Sequence, residues 1–150
     1  MLSDAQIALV QSSFREVLPI ADTAGLLLYN RIFTLAPDTR ALFADDVLPQ
    51  AKRLMAAVKL AVDGLGRLDD VASYLVKLGS RHVGYGVKPE HFDVGGEALM
   101  WTLEQGLGSA FTPEVRDAWA AVWEVVAGAM LTGMAQAELG GAGSPALTPA

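Results

Sequence analysis

Val71, Leu75, Leu78 and His82 follow one another at steps of four, three and four residues, so they line one face of a helix. Three of the four are apolar, and a stripe of that kind stabilises a chain only when another element covers it. The stripe ends in an imidazole. Gly84 and Gly86 then break the helix, and Pro89 is placed to begin another. A polar ring carried into a core needs a partner or it costs stability. This stretch alone leaves two partners open: protein hydrogen-bonding groups, as for an ordinary buried histidine, or a metal ion.

The helical period continues on both sides. Ser3 and Gln6 have capping-box spacing ahead of a first helix with Ile7, Val10, Phe14 and Val17 inward. Leu18-Pro19 separates it from a second, with Pro19 in its first turn and Leu26, Tyr29, Ile32 and Phe33 at helical spacing, ending before Pro37. A short turn follows to Phe43. A third long helix is expected from Leu48-Pro49, with Gln50, Leu54, Val58, Ala61 and Leu65 inward and Gly64 and Gly66 at its end. Asp69 is placed to cap the fourth. The fifth runs from Pro89 to about Gly106 with Phe92, Leu99 and Leu103 inward, and Thr112-Pro113-Glu114 is the start signal of the last, which reaches Leu139. No strand alternation of useful length appears. The expected fold class is all-α, with six long helices and one short turn over residues 1–139. The Gly/Pro-rich tail, 140–150, is expected to be disordered.

Composition narrows the chemistry. The 150 residues make one domain with 52% hydrophobic content, enough for a sizeable core. A net charge of −6 with no basic cluster argues against nucleic acid and anionic membranes as partners. Without cysteine there are no disulfides, thiolate nucleophiles or thiolate-held metals. The amino terminus lacks the form of a signal peptide, and the charge-free run Val125–Ala137 is too short to span a bilayer. A cytoplasmic location is expected. Nothing resembles a nucleophile elbow, GxGxxG or HExxH, and His82 and His91, nine residues apart, make a poor zinc pair. His91, in the first turn after Pro89, is expected to face water.

Five segments in order then give the chain a likeness: LYNRIF in the second helix, RALF ending on Phe43, PQAKRLM opening the third helix, LGSRHVGYGVKPEHF around His82, and SAFTPEVRDAW opening the last. Together they resemble the globin family, in particular bacterial single-domain globins, the globin domain of flavohaemoglobins and neuroglobin. The likeness covers about Leu2 to Met134.

The resemblance implies a globin fold packed around haem b, with His82 as the proximal iron ligand. It implies that Tyr29, Gln50 and Leu54 face the gas ligand on the distal side. Phe43, Leu78, Val87 and Phe92 would pack against the ring, and Arg53 or Lys52 would pair with a propionate. Expected ligands are O2, CO and NO. Gln50 stands where many globins have histidine, so a five-coordinate ferrous form is expected. Flavohaemoglobins place a tyrosine and a glutamate beside the proximal histidine; here those positions are Phe92 and Met134, so the His82 Nδ1–H is expected to donate to the Leu78 carbonyl. The functions implied are reversible oxygen binding, nitric oxide dioxygenation with electrons from a separate reductase, or gas sensing through a partner.

Overall fold

A computed structural model describes residues 2–139, and the expected disorder of 140–150 lies outside the described residues. Six α-helices make the fold: α1 (Asp4–Val17), α2 (Ala21–Leu35), α3 (Leu48–Asp63), α4 (Leu68–Gly84), α5 (His91–Leu107) and α6 (Pro113–Leu139), with a one-turn-and-more 3-10 segment, Pro37–Leu42, between α2 and α3. No strand occurs among the described residues.

The helix boundaries follow local chemistry with three exceptions. Ser3 caps α1 in a full capping box: its Oγ accepts from the Gln6 amide at 3.0 Å, and its own amide donates to Gln6 Oε1 at 3.0 Å. Thr112 Oγ1 accepts from the Val115 amide and starts α6 behind Pro113. Pro19, however, sits in a separate 3-10 turn, Leu18–Ile20, ahead of α2. Asp69 is not a cap: Arg67 holds that position, and Asp69 and Asp70 lie in the first turn, where their charge suits the helix dipole. Pro89 lies in a turn, and α5 begins two residues later at His91.

Two apolar clusters hold the helices together. One joins α1, α3, α5 and the first half of α6 through Val10, Phe14, Met55, Val62, Leu103, Trp119 and their neighbours. The other joins Val71, Leu75 and Leu78 of α4 to Phe92, Met130 and Met134. Each of those α4 side chains contributes roughly 1.5–3 kcal/mol by leaving water. Trp119 ties α6 to α1 inside the first cluster: its Nε1–H donates to Ser13 Oγ at 2.8 Å, and that hydroxyl donates to the Leu9 carbonyl at 2.7 Å. The most apolar window of α6 has a mean hydropathy of 1.3 and meets the length and composition of a membrane span, which the 13-residue charge-free run does not suggest. In this fold α6 supplies Val115, Ala118, Trp119, Val122, Met130 and Met134 to the core, and one third of that window is buried.

Helices α4 and α6 approach each other more closely than ordinary side chains allow. A Cβ added at Gly79 would overlap the Met130 carbonyl oxygen, and one at Gly133 would overlap the carbonyl oxygen of Val76. Gly79 of α4 thus fits against the backbone of α6, and Gly133 of α6 against that of α4. This double notch fixes the part of α4 that carries His82, three residues beyond Gly79.

Candidate functional site

A cavity of about 240 Å³ opens between α2, α3, α4, α5 and α6, with walls that are almost entirely apolar. His82 enters from α4. Its Nδ1–H donates to the Leu78 carbonyl at 2.7 Å, one turn back, which fixes both the tautomer and the ring plane. Nε2 then carries the lone pair, and it has no hydrogen-bond partner among the described residues. Burial pushes the imidazole below its ordinary value of 6.5, and the Arg81 charge acts in the same direction; the Leu78 carbonyl opposes them. The ring is therefore neutral at physiological pH and its Nε2 is available as a ligand. The helix ends just past this residue: Gly86, at φ +85° in the left-handed region, turns the chain so that the Val87 amide donates to the His82 carbonyl at 3.3 Å. That turn brings Val87 into the cavity wall beside Tyr85, whose ring lies 5.2 Å from the His82 ring.

The α2–α3 side of the cavity carries the polar residues. Tyr29 is buried, and its ring packs edge-on against Phe43 at 4.8 Å and stacks on Phe33 at 6.2 Å. Phe43 in turn meets Phe33 at 5.2 Å. Arg40 holds this corner, donating to the carbonyls of Phe43, Ala44 and Asp45 while lying over the Phe33 ring. Gln50 reaches Tyr29 from α3, with Nε2 at a long 3.5 Å from the Tyr29 oxygen. Arg53 Nη1 donates to Gln50 Oε1 at 3.1 Å, and because a guanidinium only donates, this sets which end of the amide faces Tyr29. The Tyr29 oxygen can accept from Gln50 and still donate its own proton to another group. Burial raises the phenol above its ordinary value of 10.0, against smaller opposing effects of Gln50 and Arg53, so it stays protonated through the neutral range and beyond.

Most of the residues singled out in the sequence come together here. His82, Leu78, Tyr29, Gln50, Leu54, Phe43, Val87 and Phe92 all line the cavity. Arg53 does not; it is exposed and bonds to Gln50. Lys52 pairs on the surface with Asp22 at 3.5 Å. Gln50, Leu54 and Val58 are half-buried because they face the cavity, whereas Ala51, Met55 and Val62 are the α3 residues that are buried along with Ala61. The expected core stripe of α3 is thus mainly the wall of a hollow. His91 corrects a second expectation: its side chain is only 12% exposed and lines the cavity. Trp119 and Trp123, which no spacing signal marked for the site, also line it, and Trp123 Nε1–H donates to the Phe92 carbonyl at 3.1 Å.

The donor set indicates what could occupy this space. Among the described residues no three His, Cys, Asp or Glu converge to cage a metal ion. Both nitrogens of the His91 ring are engaged, by the Lys88 amide and Asp38. The neutral His82 imidazole instead offers Nε2 toward apolar walls, which suits a metal that brings most of its ligands in a flat apolar ring. Haem fits that description, with His82 Nε2 as the one protein donor.

Comparison with known proteins agrees with this geometry. The family model for globins matches residues 26–130. The chain is 31% identical to neuroglobin of Tetraodon nigroviridis over 126 residues, covering 75% of this chain and 79% of the relative. It is 28% identical to neuroglobin of Danio rerio over 149 residues, covering 90% and 94%. Haem binding and the binding of small gaseous ligands accompany such a match. A helical fold around an imidazole-bearing cavity, matched by the family model over most of its length, places this chain in the globin family.

Proposed function

We propose that this chain binds haem b through His82 Nε2 and uses Tyr29 and Gln50 to hold a diatomic gas reversibly on the opposite side. The observation that carries the reading is the pair of tethers across one apolar cavity: His82 tied to Leu78 on one wall, Tyr29 in reach of Gln50 on the other. Haem, when bound, would supply an iron able to take the His82 imidazole as a ligand and to bind a diatomic gas. The chain's own residues do the rest. Leu54, Phe43, Val87 and Phe92 exclude water, which slows oxidation of ferrous iron. The Tyr29 hydroxyl and the Gln50 amide are neutral donors suited to a ligand that gains partial negative charge, each worth about 1 kcal/mol in a dry pocket. The principal ligand is O2, and CO and NO fit the same space. A cytoplasmic location suits such a role, with no nucleic acid or membrane partner.

Reversible binding is favoured over oxygen activation by the bond to His82. Its Nδ1–H meets a neutral carbonyl rather than a carboxylate, and Phe92 and Met134, which share an apolar cluster with Leu78, bring no carboxylate. Such an imidazole pushes little electron density toward a metal, which disfavours O–O cleavage. Turnover as a nitric oxide dioxygenase would require a separate reductase, and sensing would require a partner with an output.

Absorption spectra of the purified protein in ferric, ferrous and CO forms test the proposal together. A predominantly five-coordinate ferrous spectrum is expected, since an amide such as that of Gln50 is a poor iron ligand. A dominant six-coordinate ferrous form without added ligand would contradict this assignment. Tyr29→Phe is expected to speed O2 release roughly threefold to tenfold, the effect of one hydrogen bond, with CO release little changed. In the unsubstituted protein O2 release should be flat with pH up to about 10, because burial opposes ionisation of the phenol. Flash photolysis and stopped-flow mixing measure both; equal O2 release in the two proteins would remove Tyr29 from the site.

A further inference from the structure

His91 makes a bridge that the spacing of the sequence does not announce. Its Nδ1 accepts from the Lys88 amide at 3.0 Å, so Nε2 holds the proton, and Nε2–H donates to Asp38 Oδ2 at 3.3 Å. The two partners lie 53 residues apart. Asp38 belongs to the 3-10 segment before α3, and Thr39 and Leu42 of that segment, with Phe43 just after it, line the cavity. His91 opens α5, and its neighbours in the chain Tyr85, Val87 and Phe92 line the cavity too. The imidazole is 12% exposed while the carboxylate is 65% exposed, so the bridge spans from the cavity lining out to the surface. Leu42 packs over Gly86 nearby: a Cβ built there would lie 3.2 Å from Leu42 Cδ2. Among the described residues no other hydrogen bond joins residues 37–43 to residues 85–92.

We infer that His91 and Asp38 form a clasp that closes the outer edge of the cavity and restrains escape of the group held there. This rests on the haem reading above and adds to it a pair of positioning residues that touch neither the axial nitrogen nor the gas side. The clasp joins two segments that would have to part for a large flat group to leave. A gas molecule needs no such parting. Opening the clasp therefore changes haem retention and leaves gas release alone.

The test compares the unsubstituted holoprotein with Asp38→Ala, His91→Leu and the double variant. Haem loss from the ferric form is followed by transfer to an excess of a haem-free acceptor globin. Each single substitution is expected to accelerate loss roughly threefold to tenfold, the range for one hydrogen bond, and the double variant no further than the faster single one. In Asp38→Ala, whose side chain lies outside the cavity lining, O2 and CO release rates stay at the unsubstituted values. Asp38→Ala, at an exposed position, leaves the fold intact and decides the outcome by itself should His91→Leu fold poorly. A readout independent of haem is amide exchange at Lys88 in the haem-free protein, which should quicken in Asp38→Ala as the His91 ring loses its outer anchor. Unchanged haem loss in Asp38→Ala overturns the inference whatever Lys88 does, and so do effects that simply add in the double variant. Failure of the unsubstituted protein to take up haem would instead overturn the underlying reading, a result visible without any substitution.

Discussion

His82→Ala is expected to yield a folded, colourless protein. The substitution removes the imidazole nitrogen that, alone among the described residues lining the cavity, keeps a free lone pair, along with the Leu78 hydrogen bond that orients it. Apolar contact with the walls would remain, but nothing would hold a metal axially. Removing an outer partner of a metal ligand already costs tenfold to a hundredfold in affinity, so losing the ligand itself should weaken haem binding by at least about a hundredfold. The helices should survive, because His82 is at the end of the α4 stripe and only partly buried, while Val71, Leu75 and Leu78 remain in place. Far-ultraviolet circular dichroism should thus be nearly unchanged while the visible bands disappear. Free imidazole in the medium should restore part of the absorption by filling the vacated place. Red His82→Ala protein with unaltered visible bands would show that another group holds the iron.

Gly133→Val should have the opposite signature, damaging the fold first and the site as a consequence. Any Cβ at this position overlaps the Val76 carbonyl oxygen and comes within 2.9 Å of the Ser80 amide nitrogen, both backbone atoms that cannot swing aside. The α4–α6 crossing would have to widen, and widening it withdraws Gly79 from Met130 as well. Overpacking of this kind costs about 3 kcal/mol at the upper end of the usual range. For a domain of this size that is a fall in Tm of roughly 6–12 °C in the haem-free protein. Gly128→Ala supplies the control on the same helix. Gly128 is exposed with open space around its Cα, and alanine there should stabilise by up to about 1 kcal/mol. Thermal melts of the two variants decide the matter, and equal Tm values would mean that the two helices tolerate separation.

Much of this was legible in the residues because it depends on local rules. The capping box at Ser3, the Thr112-Pro113 start and the four-three-four stripe ending at His82 need only the period of a helix and the chemistry of its ends. The cavity assignments of Tyr29, Gln50 and Phe43 came from likeness to a family, since periodicity alone places them only on inner faces. What stayed hidden depends on partners far along the chain. Gly79 and Gly133 read as ordinary small residues until α4 and α6 are seen to cross there. His91 looks exposed in the first turn of α5, and only the return of the chain past Asp38 turns it inward. Gln50, Leu54 and Val58 show the converse limit: amphipathic spacing marks a face as covered and is silent on whether protein or a bound group covers it.

The placement of the three tryptophans has a practical consequence. Trp119 and Trp123 border the hollow, while Trp101 lies outside its lining with the Arg31 guanidinium 4.9 Å from its ring centre. Two of the chain's three indoles therefore belong to the cavity wall, where a conjugated pigment would drain their excited state, and the third lies outside that wall. The emission of the protein carries a built-in gauge of occupancy, readable in dilute solution without dye or label.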